Sequence, residues 1–398
     1  FCRTICFYCG CNKVITANYQ RADDYLGRLE REMALQGELF GQREVTQLHF
    51  GGGTPTYLNE ADLRRVMGDL RKHIRLSESE SREFSIEIDP RTVTPAKIAL
   101  LGELGFNRMS LGVQDFDPAV QRAVNRIQSV EQTADVLSAG RTAGFRSTNI
   151  DLIYGLPLQT LESFGRTLDT IVELRPERLA VYSYAHLPQM FKTQRQIRAE
   201  DLPDADLKLQ LLELTIRRLT EAGYVYIGMD HFALPDDELA VAQRDGTLQR
   251  NFQGYSTQAE LDLVALGVSG IGMVGHAYAQ NAKALDQYGG LIDAGRLAVV
   301  RGVQLSADDL LRRELIQGVM CQGRIDIPVL ERKHGIDFAD YFAAELVRLA
   351  PLAADQLLTI DAAAIDVTTR GRLFLRNIAM VFDAYLKPAD PERYSRAI

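Results

Sequence analysis

Four of the five cysteines in this 398-residue chain fall within its first eleven residues, as Cys2, Cys6, Cys9 and Cys11. The first three have the spacing C-x3-C-x2-C. Thiolates are soft ligands that suit zinc and iron–sulfur clusters alike. Three of them on one short loop can bind three irons of a cubane and leave the fourth iron open to a small molecule. A closed structural zinc needs four ligands, and Cys11 could supply the last. Zinc loops usually present paired C-x2-C units, however, and only one such unit occurs here. A single residue separates Cys9 from Cys11, which is awkward for one tetrahedron. The spacing favours a cluster and leaves structural zinc as the alternative. Cys321 stands alone in an apolar helical stretch and reads as a small buried hydrophobe.

These thiols need elements that position them, and the first half of the chain alternates helical and strand patterns. Helices are expected over residues 20–38, 59–74 (with Asn59 as cap), 95–104, within 118–143, and over 160–174. Strands are expected over 45–50, 84–88, 108–113, 149–154 and 179–184. Such alternation implies a parallel sheet built from βαβ units. Polar residues gather where the strands stop: the Gly51–Thr54 run, Glu87, Gln114, Asp151 and Ala185–His186. In parallel α/β folds the C-terminal strand ends carry the chemistry. Any one of these residues alone would read as a turn; five strands ending this way point to a shared pocket.

The strand spacing predicts an α/β fold: a partial (β/α)6 TIM-like barrel with a smaller, mainly helical C-terminal domain. Only five strands are visible, so a sixth is expected to precede Phe1, and the chain reads as a fragment lacking its natural start. The barrel core would occupy 1–190 within a catalytic domain of 1–300, followed by the C-terminal domain, 301–398. Beyond the barrel, helices are expected over 201–222, 306–322, 326–334, 338–349 and 370–385, with short strands at 356–360 and 364–368.

Composition bounds the function. A net charge of −8 argues against a general nucleic-acid or anionic-membrane surface. No apolar run approaches the ~18–20 residues of a membrane helix. Clustered thiols without an export signal suit a reducing cytoplasm. Gly270-Ile271-Gly272-Met273-Val274-Gly275 spells GxGxxG, but no clear parallel strand follows, so a nicotinamide site is not expected. Six histidines are scattered without metal-ligand spacing.

C-x3-C-x2-C with an aromatic before its last cysteine resembles the radical S-adenosylmethionine (SAM) superfamily. There the open iron chelates SAM, and one electron from the cluster releases a 5′-deoxyadenosyl radical. The cofactor supplies the hard chemistry. Gly51-Gly52-Gly53-Thr54-Pro55 resembles the superfamily's methionine-contacting run, with Thr54 where Glu is often found. The likeness narrows further to oxygen-independent coproporphyrinogen III oxidases (coproporphyrinogen dehydrogenases). It is carried by Cys6-Phe7-Tyr8-Cys9-Gly10-Cys11-Asn12-Lys13, by Ser85-Ile86-Glu87-Ile88-Asp89-Pro90-Arg91, by Leu111-Gly112-Val113-Gln114-Asp115-Phe116, and by Asn149-Ile150-Asp151-Leu152. Tyr182-Ser183-Tyr184-Ala185-His186 and Arg250-Asn251-Phe252-Gln253-Gly254-Tyr255 extend it, and essentially the whole chain is covered.

The resemblance implies a [4Fe–4S] cluster on Cys2, Cys6 and Cys9 and two SAM molecules. The first SAM would meet Gly52, Glu87, Ala185 and Ile271. The second would meet Tyr8, Gly53, Thr54, Gln114, Arg126 and Asp151. It implies oxidative decarboxylation of two propionates of coproporphyrinogen III to vinyls, giving protoporphyrinogen IX. The partner would be a one-electron reductant such as flavodoxin or ferredoxin, with no nucleic acid and no membrane, and the enzyme a cytoplasmic monomer. No further catalytic side chain is implied. The family's Tyr just upstream of the cluster loop is not in this sequence. Gly275-His276-Ala277 departs from the expected Gly-Asp-Cys and leaves the local detail near Ile271 open. The rival reading is the haem-carrying chaperone of the same branch. Its H-N-x-x-Y-W block, and its usual lack of a cysteine equivalent to Cys11, fit this chain less well.

Overall fold

The structure is a computed structural model that describes residues 1–258 and 261–386. The end of the expected C-terminal domain, residues 387–398, lies outside the described residues. The chain divides into two compact units. One comprises residues 1–222, 263–272 and 279–302; the other comprises 223–262, 273–278 and 303–398.

The first unit is built on five parallel strands: β1 (Gln47–Phe50), β2 (Glu83–Ile88), β3 (Arg108–Gln114), β4 (Ser147–Tyr154) and β5 (Arg178–Ser183). They lie side by side in sequence order. The crossovers are helical, as the alternating pattern requires: α1 (Glu60–His73) after β1, α2 (Pro95–Glu103) after β2, and α3 (Pro118–Ala123) with α4 (Val130–Thr142) after β3. Leu161–Leu174 then joins β4 to β5. Asn59 caps α1 by accepting from the Asp62 amide, and Ser129 opens α4 with a reciprocal capping box with Gln132. The expected partial barrel is thus the architecture of this unit.

Because strand side chains alternate between faces, β2 buries Phe84, Ile86 and Ile88 on one face. Ser85 and Glu87 stand on the other. The register carries that alternation across the sheet. His49 sits opposite Ser85, Glu87 opposite Ser110, Ser110 opposite Asn149, and Gly112 opposite Asp151. One face therefore carries a continuous polar stripe. The other packs an apolar layer that includes Leu111, Ile150 and Leu152, each essentially inaccessible.

The 21-residue helix Gln20–Phe40 buries Ala22, Leu26 and Met33, and with them Glu32. The Glu32 carboxylate accepts from the Gly267 amide (2.6 Å), Asn281 Nδ2 (2.7 Å) and Tyr288 Oη (2.7 Å). Burial pushes its pKa up, against the pull of those three donors. Glu32→Ala would leave three buried donors unpaired. It is expected to cost about 3–5 kcal/mol, since each unmet buried group costs about 1–3 kcal/mol. Chemical denaturation of the two proteins checks this, with Glu32→Gln falling between them.

The helix expected over 201–222 starts later, at Ala205, and runs to Glu221. Asp204 caps it by accepting from the Leu207 amide. Pro203 disfavours helical backbone at the residue before it, and Leu202 is extended accordingly. Residues Ala199–Asp201 form a separate 3-10 turn.

In the second unit, Val225–Gly228 and His231–Ala233 pair antiparallel, as do Gln249–Asn251 and Gly254–Ser256. The C-terminal helices are Ala307–Gln317, Ile327–His334, Phe338–Tyr341, Ala343–Ala354 and Leu375–Met380. The span expected as one helix over 338–349 breaks at Phe342, whose ring is fully buried against Phe338 and Phe382. The two expected short strands are present, as Leu358–Ile360 and Ala364–Val367. A third strand, Arg324–Asp326, joins them by pairing with Ala364–Val367. Its last residue, Asp326, also caps the helix Ile327–His334 and was expected only as the start of that helix; Arg324 and Ile325 had no expected element. Among the described residues no helix is long and apolar enough to cross a membrane.

Candidate functional site

The cysteine loop is tied down by backbone and side-chain bonds on every side. Cys2 exchanges hydrogen bonds with the backbone of Val14 (2.9 Å) and Thr16 (3.1 Å), and the Cys9 amide donates to the Cys6 carbonyl (3.2 Å). The Phe7 amide donates to the Val124 carbonyl (2.9 Å), and Asn125 Nδ2 donates to the Ile5 carbonyl (2.7 Å). Thr193 Oγ1 and Lys13 Nζ both donate to the Cys9 carbonyl, at 3.1 and 2.8 Å. Gln194 Nε2 donates to the carbonyls of Tyr8 (2.9 Å) and Ala185 (3.1 Å), joining the loop to the end of β5.

The glycine run closes onto the same loop. The Thr54 amide donates to the Phe1 carbonyl (3.0 Å), and Thr54 Oγ1 lies 3.4 Å from Cys2 Sγ. A Cβ on Gly53 would come within 3.0 Å of the Phe1 nitrogen and 3.4 Å of Cys2 Sγ. Gly52 has φ +108°, a conformation that glycine adopts without strain. Its amide donates to Glu87 Oε2 (3.1 Å).

Along the polar stripe each carboxylate is held by a neighbour. His49 faces Ser85 Oγ through Nδ1 (2.8 Å) and Glu87 Oε1 through Nε2 (3.3 Å). Asp151 accepts from Ser110 Oγ (2.9 Å) and Asn149 Nδ2 (2.7 Å). Burial, and then the charge of Glu87, push the Asp151 carboxyl up to about 6. Its folded pKa lies above the unfolded one, so its contribution to stability is present at low pH and fades as pH rises through about 6. Asp151→Asn is therefore expected to stabilise the fold above that pH, by about 3 kcal/mol at most. It should weaken cofactor-dependent turnover roughly tenfold to a hundredfold, the worth of a charged hydrogen bond. Urea denaturation at pH 5 and pH 8, beside turnover assays, tests both halves.

The third part is charged and buried. Asn125 takes a left-handed conformation (φ 53°) after α3, and the next residue, Arg126, turns back into the site. Arg126 Nη1 donates to Asp89 Oδ2 (3.3 Å) and lies 3.7 Å from Cys6 Sγ; Nη2 donates to the Gly112 carbonyl. Arg126 Nε is buried without a hydrogen-bond partner among the described residues. Arg91 forks onto Asp89 (2.7 and 2.9 Å) and also lies 3.7 Å from Cys6 Sγ. At Gly112 a Cβ would meet Gln114 Nε2 at 2.9 Å and Arg126 Nη2 at 3.0 Å, so a larger residue there would push on the tips of both side chains. Gln114 ends β3 at φ 71°, past a register shift. The next residue, Asp115, is locked by Gln159 and Thr167.

Of the residues singled out from sequence, Cys2, Cys6, Cys9, Tyr8, Gly52, Gly53, Thr54, Glu87, Gln114, Arg126, Asp151 and Ala185 are linked by these contacts and charges. Tyr8 is partly buried, and desolvation pushes its phenol up while the Arg126 charge opposes the shift. Ile271 lies on the strand Ile271–Val274 and is partly exposed; no hydrogen bond or ion pair ties it to the group among the described residues. Sequence reasoning left His49, Asp89, Arg91, Ser110, Gly112 and Asn149 without a role. The available signal was the period of two: all but Arg91 lie on or immediately after strands, on the face of an already suspected residue or next to one.

Burial chiefly, and in lesser part the charges of Cys9 and Cys6, holds the Cys2 thiol above its ordinary value, so the three sulfurs share one electrostatic neighbourhood. A hydrogen bond from Cys11, above all, lowers the Cys9 thiol to about 6. No group of three or more His, Cys, Asp or Glu side chains converges on a single ion among the described residues. Three thiols on one loop, with the buried Arg126 Nε lacking a hydrogen-bond partner among the described residues and the same guanidinium 3.7 Å from Cys6 Sγ, fit a cluster that carries a carboxylate-bearing ligand.

Comparison with known proteins agrees. Residues 1–171 match the radical SAM superfamily, and residues 305–374 match the HemN C-terminal domain. The chain is 51% identical, over 399 residues, to the oxygen-independent coproporphyrinogen III oxidases of Pseudomonas aeruginosa and of Escherichia coli. Each alignment covers 100% of this chain and 87% of the relative. The enzyme of the same description from Synechocystis is 45% identical over 404 residues, with 100% and 86% covered. The solved structure of the Escherichia coli coproporphyrinogen III oxidase, described as a radical SAM enzyme, superposes with a TM-score of 0.94 at 51% identity. That match covers 97% of this chain and 88% of the other.

Proposed function

This chain belongs to the oxygen-independent coproporphyrinogen III oxidase family of radical SAM enzymes, and on that premise we propose a role for each residue of the site. The reaction is the oxidative decarboxylation of two propionate side chains of coproporphyrinogen III to vinyl groups, giving protoporphyrinogen IX in haem biosynthesis. It uses a [4Fe–4S] cluster and SAM, which together, when bound, supply the one-electron chemistry that activates an inert C–H bond.

Cys2, Cys6 and Cys9 hold the cluster. Gly52, Glu87, Ala185 and Ile271 receive one SAM; Tyr8, Gly53, Thr54, Gln114, Arg126 and Asp151 receive a second. Arg126 supports this reading most directly. It is buried, fixed by Asp89 and Gly112, and keeps Nε free to donate to a carboxylate. Asp151 is kept pointing along the stripe by Ser110 and Asn149, where it can accept from hydroxyl or ammonium groups. Glu87 does the same from β2, on the far side of β3, its second oxygen held by the Gly52 amide. The glycines bring backbone close to a ligand where a side chain would intrude. Phe7 and Tyr8 pack with Val120, Val124 and Ile153, which keeps water from the inner side of the loop.

Residues 1–300 form the catalytic part and 301–398 an accessory C-terminal part in this reading. The electron donor is a one-electron reductant such as flavodoxin or ferredoxin, and the enzyme acts as a cytoplasmic monomer without nucleic acid or membrane. The observation that carries the function is 51% identity, over the whole of this chain and 87% of the relative, with an enzyme of this description. The test is anaerobic. The chain is reconstituted with iron and sulfide, reduced, and given SAM and coproporphyrinogen III. Protoporphyrinogen IX is the expected product; tight haem binding without product would overturn the oxidase in favour of a haem carrier.

A further inference from the structure

Asp89 enters the site just proposed only as an anchor of Arg126, and Arg91 has no role there, yet both are built into it. Asp89 carries two guanidiniums at once: Arg91 through a fork at 2.7 and 2.9 Å, and Arg126 at 3.3 Å. Both guanidiniums then reach one sulfur, with Arg91 Nη2 and Arg126 Nη1 each 3.7 Å from Cys6 Sγ. The three side chains are largely withdrawn from water, with 10% of Asp89, 18% of Arg91 and 7% of Arg126 exposed. Charges so placed are weakly screened. Two cations and one anion leave one positive charge in surplus against this thiol.

From this geometry, and resting on the assignment of Cys6 as a cluster ligand, we propose that Asp89 and Arg91 form with Arg126 a charge clamp on the Cys6 sulfur that sets the cluster's reduction potential. Asp89 is the positioning residue, and Arg91 and Arg126 are the donors. The physical reason is direct. Iron–sulfur potentials depend on hydrogen bonds to the sulfurs and on nearby net charge. An N–H donor withdraws density from a thiolate and favours the form carrying the extra electron. A surplus cation does the same by Coulomb attraction. Asp89 holds both guanidiniums on the sulfur while cancelling one of their charges.

The clamp makes a prediction of sign that a merely structural role does not. Arg91→Gln removes one cation and one donor, so the midpoint should move to more negative potential. Asp89→Asn removes the anion while its remaining oxygen and the Gly112 carbonyl still hold the arginines, so the midpoint should move the other way. Arg91→Lys keeps the charge, loses the fork and should fall between wild type and Arg91→Gln. The experiment is an anaerobic redox titration of each reconstituted full chain, without SAM, followed by electron paramagnetic resonance of the reduced cluster. Iron and sulfide content is measured beside it.

Opposite shifts in Arg91→Gln and Asp89→Asn support the clamp. Unchanged midpoints, or shifts in the same direction, overturn it. If Arg91→Gln does not load, Arg91→Lys and Asp89→Asn decide: an unshifted pair overturns the clamp. A wild-type chain that takes up no cubane at all would instead sink the ligand assignment itself, and the clamp with it. The two failures are therefore distinguishable.

Discussion

Cys6→Ala is expected to reduce 5′-deoxyadenosine formation to background while leaving the chain folded. Cys6 lies inside a loop whose path is set by other contacts: the Phe7 amide on Val124, Asn125 on the Ile5 carbonyl, and Gln194 on the Tyr8 carbonyl. None of them uses the Cys6 side chain, so far-ultraviolet circular dichroism and the melting transition should change little. The sulfur is different in kind. A cubane that already leaves one iron open cannot lose a second protein ligand and keep its shape, so iron content should fall with activity. Arg91 and Arg126 would also lose the atom they both approach. Product release and iron per chain are measured together. Retained SAM cleavage with a full cluster would refute the ligand set. Cys11→Ala is the internal control, since Cys11 only supports Cys9 through a hydrogen bond; it should keep a cluster.

Arg126→Gln has the second largest expected effect, and it acts on stability and function together. The guanidinium bonds Asp89 and the Gly112 carbonyl, deep in the site. Breaking a buried ion pair typically costs about 3–5 kcal/mol. Asp89 keeps its fork to Arg91, so the lower end of that range is expected here. The pH dependence has a definite sign. Burial alone would raise the Asp89 carboxyl, but Arg91 and Arg126 override it and hold it below its ordinary value. Its contribution to stability is therefore present above the unfolded value of about 4 and is lost as pH falls through the lower folded value. Without Arg126 the folded pKa rises, the pH window moves up, and acid unfolding should begin at higher pH. Urea midpoints collected from pH 3 to pH 7 would show the shift. On the functional side, a neutral amide cannot match a charged donor aimed at a carboxylate. SAM affinity is expected to fall roughly tenfold to a hundredfold, the worth of one charge-assisted bond. Unchanged SAM affinity would remove Arg126 from the cofactor site.

Chemistry that depends on residue type and local spacing could be read from the chain alone. The C-x3-C-x2-C loop, the glycine run and the alternation of strand and helix are all local. They fixed the cluster ligands as candidates, the parallel sheet and the strand ends where the pocket should lie. What spacing could not supply was everything that depends on register. His49, Glu87, Ser110 and Asp151 come from four strands, separated by 23 to 41 residues, and meet only because parallel pairing aligns them on one face. The Asp89 clamp has the same origin: Cys6, Asp89 and Arg126 lie on three separate segments of the sequence, and a one-residue slip in the pairing would turn the strand residues to the opposite face. The late start of the helix at Ala205 and the break at Phe342 follow the same division. Pro203 was a local signal that could have placed the first; the second is decided by the burial of one aromatic ring against Phe338 and Phe382, distant partners included, which no window of sequence contains.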